Sequence, residues 1–150
     1  MIRINCYSVR MVREKSVAYN ADTRMIKSPA DVADLIRDVL KPDEYAEERF
    51  GIVTLTTKNA IAGIHEISVG ALSSTVVHPR EAFKPAVLNN AAAIITFHNH
   101  PSGDVTPSPE DTTTFTRLNQ AGEILGIKVL DHLIYGANGK YLSAKESGLM

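Results

Sequence analysis

Two histidines at the end of an apolar run have the spacing of metal ligands. Residues 91–97 are nearly all apolar, as in a central strand buried on both faces, and His98, Asn99 and His100 follow directly. Because side chains alternate along a strand, His98 and His100 point to one face and Asn99 to the other. The two imidazoles can therefore converge on one ion.

A helix start further along the chain offers a third ligand. Residues 101–107 are rich in turn formers, and Ser108 and Asp111 then open a helix near Pro109. This arrangement brings a hydroxyl and a carboxylate back to the end of the strand. With Asp111 as third ligand, a fourth tetrahedral position stays open for water, as in a catalytic zinc site. Such ligands also suit other first-row ions, and we predict one Zn²⁺ per chain.

Each of these residues also has a simpler interpretation. A pair of histidines at a strand end is often structural or lies at the surface. Ser108 and Asp111 fit a plain helix cap, in which Ser108 bonds the free amides and the helix dipole favours Asp111. The joint spacing of all four residues favours the metal site. Ser108 can cap the helix and take part in chemistry at the same time.

The elements that must hold these residues predict a mixed sheet with helices packed on it. Ser28 and Pro29 begin a helix that ends at Lys41 and Pro42. Strands are predicted over residues 50–57, 61–69, 72–77, 91–97, 127–135 and 140–143, the first two as an antiparallel pair. The expected fold class is α/β with mixed α+β character, arranged as a three-layer sandwich.

Two further helices are predicted on either side of the apolar strand. The first covers residues 80–90, and Pro85 is expected to kink it or shift its start. The second starts near Pro109 and has one apolar face, and Gly122 and Gly126 mark its end. The metal site is expected where the apolar strand ends and this second helix begins.

Composition limits the class of protein. The chain has 150 residues, 44% hydrophobic and 22% charged, which fits one soluble globular domain. We expect residues 1–150 to form a single domain, with 1–45 as an amino-terminal extension and 46–150 bearing the motif. The formal net charge is −1, whereas a dedicated nucleic-acid binder is expected to be clearly positive. A local basic patch is still compatible with this charge.

Signals for membrane insertion or export are not recognisable in the sequence. It has no run of about 18 apolar residues, and the start from Met1 to Asn5 lacks the apolar core of a secretory signal. We therefore expect a cytoplasmic protein. Cys6 is the only cysteine, which excludes an internal disulfide and a zinc site built from several thiolates. Zinc deaminases, which need a Pro-Cys-x-x-Cys segment, are excluded on the same ground.

The full motif resembles that of a known family. His98-x-His100, seven residues, then Ser108-x-x-Asp111 is similar to the metal motif of the JAMM, or JAB/MPN, metalloprotease superfamily. The longer string His-Asn-His-Pro-Ser-Gly-Asp, which starts at His98, resembles the RadC branch of that superfamily. The resemblance implies the MPN/JAB architecture, which is similar to that of cytidine deaminases.

The resemblance covers about residues 45–150, and the amino-terminal part more loosely. Asp131 and His132 also fit the RadC-like pattern, and we interpret this pair as structural rather than as support for a metal. RadC-like proteins often carry a helix-hairpin-helix region ahead of this domain, and residues 1–45 do not resemble one. The motif-bearing domain is therefore expected to stand alone.

The resemblance implies a metal-activated water that attacks a peptide or isopeptide carbonyl. An upstream glutamate would shuttle the proton, and Ser108 would stabilise the oxyanion. The family places this glutamate just before a strand beside the metal, which matches Glu48 ahead of Phe50. Glu47 and Glu66 are the alternatives, and a solvated charge is the simpler interpretation of Glu48. The implied partner is a peptide or protein substrate.

Two other functions compete with a zinc peptidase. The association of RadC-like proteins with DNA repair suggests a nucleic-acid-associated module without protease activity. An inactive metal-bound scaffold is the third hypothesis, although such members usually lose the ligands that this chain keeps. His65 and Glu66 do not begin a His-Glu-x-x-His zinc helix, because position 69 is Val.

Overall fold

A five-stranded mixed sheet forms the middle of the fold. The computed structural model describes residues 1–21, 23–70 and 77–150. The strands are β1 (Arg49–Leu55), β2 (Ile61–Val69), β3 (Ala93–Asn99), β4 (Lys128–Tyr135) and β5 (Tyr141–Ser143). Their order is β2-β1-β3-β4-β5, with β3 and β4 parallel and the other neighbours antiparallel. β3 is therefore the central strand, with partners on both sides.

Helices cover both faces of the sheet. Within the described ranges they are α1 (Pro29–Leu40), α2 (Pro79–Leu88) and α3 (Pro109–Leu125). α1 packs on one face, in a cluster that contains Ile36, Ile95 and Phe97. α2 and α3 pack on the other face, where Phe83 and Leu118 join a cluster with Ile94. The predicted three-layer α/β sandwich is confirmed.

Burial on both faces explains why the apolar run becomes the central strand. Every residue of β3 is buried. Successive side chains alternate between the α1 face, which Phe97 joins, and the α2/α3 face, which Ile94 joins. Full burial of such side chains stabilises the fold by roughly 1.5–3 kcal/mol each. Because packing on both faces fixes β3, the position of His100, which follows it directly, is also well defined.

The capped helix α1 begins as the sequence indicates. The Ser28 hydroxyl accepts from the Asp31 amide, and the Asp31 carboxylate accepts from the Ser28 amide, which together form a capping box. Lys41 ends the helix in the left-handed conformation, with φ 51°. No helix among the described residues is long and apolar enough to span a membrane.

Gly122 has a different role from the one predicted. It was expected to mark the end of α3, but it lies inside the helix, which continues to Leu125 and ends at Gly126 with φ 70°. A Cβ at Gly122 would lie 2.6 Å from the carbonyl oxygen of Ile127. The glycine is therefore required by the close approach of the chain that enters β4, and only Gly126 terminates the helix.

Other element boundaries shift by a few residues. β1 ends at Leu55, and α2 starts at Pro79 and continues through Pro85, so this proline does not displace its start. The strand predicted over residues 72–77 lies outside the described residues except for Val77, which is buried. Residues 137–139 form a tight turn ahead of β5, in which Asn138 has the left-handed conformation with φ 58°.

The amino-terminal segment contacts the core at Tyr19 and again at the residues just before α1. Residues 1–21 are described without a helix or strand, and nearly all of them are exposed. Met25 then forms an antiparallel bridge with Ala60 at the start of β2, and Ile26 packs against the cluster under α1. Ahead of α1, both Tyr19 and Ile26 therefore pack against this cluster.

Asp131 and His132 are buried polar residues of β4. The Nδ1 of His132 lies 2.5 Å from the Thr96 hydroxyl, and its Nε2 lies 3.1 Å from the Asn119 side-chain oxygen. The ring also stacks on Phe115, with centroids 4.1 Å apart. Burial lowers the pKa of His132 to about 3, helped by the nearby His98. The imidazole is therefore a neutral part of the packing.

This buried histidine makes stability depend on pH. An unfolded histidine has a pKa of about 6.5, whereas the pKa of folded His132 is about 3. Between these two pH values the unfolded chain binds a proton at this position and the folded protein does not, so acid favours unfolding. We expect His132 to remove roughly 2 kcal/mol of unfolding free energy between pH 7 and pH 5. Urea unfolding at both pH values should show this loss reduced in His132→Gln. The exposed-histidine control His78→Gln should keep the parent's dependence, and an equal dependence in His132→Gln would contradict the assignment.

Candidate metal centre

β3 carries one candidate ligand and leads directly to the next. His98 is 1% exposed, and its ring contacts those of Phe50 and Phe115, with centroid distances of 6.4 and 6.2 Å. The backbone N–H of His100, one residue beyond the strand, donates to the Tyr135 carbonyl at 2.8 Å. Pairing with β4 therefore extends to His100. Strand alternation turns both imidazoles to one side, with ring centroids 4.8 Å apart.

The start of α3 places the carboxylate. The Ser108 hydroxyl accepts from the Asp111 amide at 3.0 Å, and the Asp111 Oδ2 accepts from the Ser108 amide at 2.8 Å. Pro109 occupies the first helical position, where its missing N–H costs nothing. This capping box holds the Asp111 side chain, which is 5% exposed, against the end of β3.

Three ligand atoms converge at this junction. The Asp111 Oδ1 lies 3.3 Å from the His98 Nε2, and the Asp111 Oδ2 lies 3.3 Å from the His100 Nε2. The two Nε2 atoms are 2.9 Å apart. Around zinc, bond lengths of about 2.0–2.1 Å give a tetrahedral edge of roughly 3.3–3.4 Å. The two oxygen–nitrogen distances, one from each carboxylate oxygen, match this edge, and the 2.9 Å between the nitrogens is shorter. The donor set therefore fits one small divalent ion with a position left for water.

Protonation in this cluster is set by mutual contacts. Burial by itself would raise the pKa of Asp111, but hydrogen bonds from His100 and His98 outweigh it and hold this pKa well below its usual range. The bond to Asp111 raises the pKa of His100, against the effect of burial. The carboxylate is therefore ionised and available as a ligand, and each imidazole must be unprotonated at the nitrogen that ligates an ion.

The far side of the His100 ring is also fixed. Its Nδ1 lies 2.7 Å from the Asp104 carbonyl oxygen, so a proton on Nδ1 donates there and leaves the Nε2 lone pair for an ion. The loop that supplies this carbonyl packs closely on Gly136, where a Cβ would collide with the Gly103 carbonyl oxygen. No sequence signal identifies this support, because the acceptor belongs to the backbone.

Glu48 lies beside the cluster. β1 pairs with β3 so that Phe50 is opposite His98, and continuing this register by two residues brings Glu48 level with His100 on the same face. Glu48 is partly buried, and its negative charge helps to raise the pKa of His100. If these three side chains held an ion, a carboxylate at this position could exchange protons with a water bound to it.

The other two candidate glutamates are directed elsewhere. Glu66 pairs with Arg49 at 3.3 Å, and both line a small cavity that Phe97 and Asn99 border on the α1 face. Glu47 reaches Arg49 at 4.0 Å, and its side chain is 57% exposed. The geometry favours Glu48 over both of these residues for a role at the metal.

Asn99 has a contact that sequence reasoning missed. The sequence indicates only that it points away from the histidines. In the structure its side-chain amide bonds the backbone on either side of Glu48, at Glu47 and Arg49. The only sequence signal was an amide side chain between the two histidines. In the structure this residue is 4% exposed. Its partners lie about 50 residues away in the chain, beyond the reach of local patterns.

The fold and the cluster together define a class of protein. It is a mixed α/β sandwich in which two histidines at a strand end face an aspartate at a helix start. A sequence profile described as "RadC-like JAB domain" matches residues 26–149. The chain belongs to this family.

Several curated relatives support the same conclusion. The UPF0758 protein of Desulfitobacterium hafniense (strain DSM 10664 / DCB-2) is 51% identical over 127 residues, covering 84% of this chain and 54% of that protein. That of Moorella thermoacetica is 49% identical over 134 residues, covering 89% and 57%. That of Rubrobacter xylanophilus is 46% identical over 143 residues, covering 95% and 61%. This chain therefore spans little more than half the length of these relatives.

The geometry predicts how the cluster handles zinc. We expect His100→Ala to lower the affinity for Zn²⁺ by at least about 100-fold, since it removes one of three ligands and leaves the fold in place. Competition titration with a chromogenic chelator measures this affinity, and elemental analysis gives the stoichiometry. His78→Ala is the matched control, because His78 is exposed and lies outside the cluster. Equal zinc affinity in parent and His100→Ala would refute the ligand assignment.

Proposed function

We propose that this chain is a metal-dependent hydrolase that holds one zinc ion and cleaves a peptide or isopeptide bond. The convergence of the two imidazoles and the Asp111 carboxylate, with the ligand atoms all within 4.8 Å of one another, carries the proposal. Membership of the JAB domain family is compatible with a hydrolase. The ligand set leaves one tetrahedral position for water, as catalytic zinc sites do.

The three candidate ligands would hold the ion that activates the water. When bound, the ion would lower the pKa of a coordinated water to about 7 and polarise the substrate carbonyl. His98, His100 and Asp111 would supply the two nitrogens and one oxygen that hold it. The Asp104 carbonyl keeps the His100 ring in the orientation and tautomer that ligation needs.

Glu48 is the proposed general base and acid. Its carboxylate takes a proton from the attacking water and delivers it to the leaving amine. Support for this assignment comes from the β1–β3 register, which brings Glu48 level with His100, and from the effect of its charge on that imidazole.

Ser108 is the proposed oxyanion donor. Its Oγ accepts the Asp111 amide in the helix cap, so the hydroxyl hydrogen is not used in that bond and can point towards a developing negative charge. The residue is partly buried at the rim of the cluster. A hydrogen-bond donor at this place would stabilise the charge that forms on the carbonyl oxygen.

A substitution at Glu48 separates metal binding from hydrolysis. Glu48→Gln should keep near one zinc per chain and lose about 10²- to 10⁴-fold in kcat, because the amide cannot accept the proton. Turnover of peptide and isopeptide substrates by zinc-loaded protein is the measurement. Glu47→Gln, at the exposed neighbouring glutamate, is the matched control and should retain activity. Full activity in Glu48→Gln, or an equal loss in both variants, would refute the role of Glu48.

Ser108 should show two separable effects. Ser108→Ala removes the cap and should lower the unfolding free energy by about 1 kcal/mol. It should also lower kcat by roughly 10²- to 10³-fold, since the oxyanion loses a donor. Ser108→Thr keeps both functions and should restore stability and most of the turnover. Denaturant unfolding and initial rates measure the two effects, and a Ser108→Ala variant with parental kcat would limit Ser108 to capping.

The competing nucleic-acid-associated module makes a different prediction. The net charge of −1 disfavours tight direct binding to DNA. A zinc-loaded parent that cleaves no peptide or isopeptide substrate, yet binds DNA with an affinity that falls as salt rises, would replace the hydrolase with this alternative. Peptide cleavage that depends on zinc and Glu48 would exclude it.

A further inference from the structure

Asn99 joins the metal-binding strand to the segment that carries Glu48. It is the last residue of β3 and is 4% exposed. Its Oδ1 accepts from the Arg49 amide at 2.7 Å, and its Nδ2 donates to the Glu47 carbonyl at 3.1 Å. One side-chain amide therefore bonds the backbone immediately before and immediately after Glu48.

The Asn99 side chain bonds the chain just beyond the point where the pairing of β1 with β3 ends. The register between β1 and β3 ends at the pair of Phe50 and His98. Beyond that pair, the Asn99 amide offers the acceptor and the donor that another strand residue would offer. The Glu48 carbonyl in addition accepts from the Gly70 amide at 2.9 Å. The backbone of Glu47, Glu48 and Arg49 is therefore held at three consecutive positions.

Asn99 lies between His98 and His100 in the sequence, so its bonds connect the two histidines to the Glu48 segment. Its neighbours His98 and His100 face the cluster, while Asn99 faces the opposite side of the sheet. Any displacement of this strand end would move both imidazoles and the Glu48 segment together. The distance between Glu48 and the ligands is thereby preserved.

We propose that Asn99 is a positioning residue, which holds the Glu48 backbone at a set place relative to the two histidine ligands. The inference rests on the proposed function, in which Glu48 is the general base, and it adds a residue to that machinery. Asn99 contacts neither the ion nor the substrate. It acts only through the segment that it clamps.

Few side chains can both accept a hydrogen bond from the Arg49 amide and donate one to the Glu47 carbonyl. The amide presents an acceptor and a donor from one planar group, which matches one N–H and one C=O of the facing backbone. Aspartate keeps the acceptor for Arg49 but turns a second oxygen towards the Glu47 carbonyl. Leucine has a similar size and offers neither bond. Asn99→Leu should therefore release the segment fully, and Asn99→Asp should release its Glu47 end.

Hydrogen exchange tests the clamp without any activity assay. Exchange of the Gly70 amide, which bonds the Glu48 carbonyl, reports whether the Glu48 backbone stays in place. We expect it to become at least about tenfold faster in Asn99→Leu, measured by NMR on folded, zinc-loaded protein. Asn89→Leu is the matched control, because its side chain bonds Thr54 at 2.6 Å in a different part of β1. Faster exchange confined to Arg49, with Gly70 unchanged, would overturn the proposal.

Kinetics test the link to Glu48. Asn99→Leu should keep near one zinc per chain, lower kcat about 10- to 100-fold and change KM less than about threefold, since the general base is misplaced while the ligands remain. In a Glu48→Gln background the same change should lower kcat by less than about twofold, because the group that it positions is already absent. An equal fall of kcat in both backgrounds would overturn the proposal.

The remaining outcomes separate this inference from the proposed function. If Asn99→Leu does not fold, Asn99→Asp is measured in the same way, and parental Gly70 exchange in that variant overturns the clamp. If the zinc-loaded parent cleaves no substrate while Gly70 exchange rises in Asn99→Leu, the hydrolase proposal fails and the clamp on Glu48 is supported.

Discussion

The buried carboxylate of Asp111 is the group on which the site depends. A carboxylate removed from water is strongly destabilising unless hydrogen bonds and opposite charges surround it. Asp111 obtains these from the Ser108 amide and from the imidazoles of His98 and His100. The same contacts that make its burial tolerable bring three ligand atoms to one point. Stability and site geometry therefore rest on the same bonds.

The topology of the sheet makes this meeting possible. β3 and β4 are parallel, so the chain must cross from the end of one strand to the start of the other, and α3 makes that crossing. The start of α3 consequently lies near the end of β3, where a Pro-rich loop is long enough to bring Ser108 back to the strand. In α/β folds this carboxyl end of the strands is where ligands usually bind.

The alternation of side chains lets one short stretch serve both faces of the sheet. His98 and His100 face the cluster on the α3 side, whereas Asn99 bonds the segment around Glu48 from the α1 side. Tight packing on both faces of β3 limits the freedom of His98 and Asn99, and a backbone bond to Tyr135 holds His100. The two candidate histidine ligands and the proposed base are thus positioned by the same strand, β3.

The sequence by itself determined the local features of this protein. The apolar run before His98 predicted the buried strand, and the pattern from Ser108 to Asp111 predicted the capped start of α3. Periodicity and capping depend on residues a few positions apart, so a single sequence can display them. The mixed sheet with helices packed on it followed from the order of these elements.

Only the tertiary structure decided the features that depend on distant pairing. The place of Glu48 relative to Glu47 and Glu66 depends on the register between β1 and β3, and the bonds of Asn99 join residues about 50 positions apart. Gly122 lies inside α3 because a neighbouring backbone comes close, which helix punctuation could not show. Such contacts are set by how whole elements pack, and no local pattern encodes them.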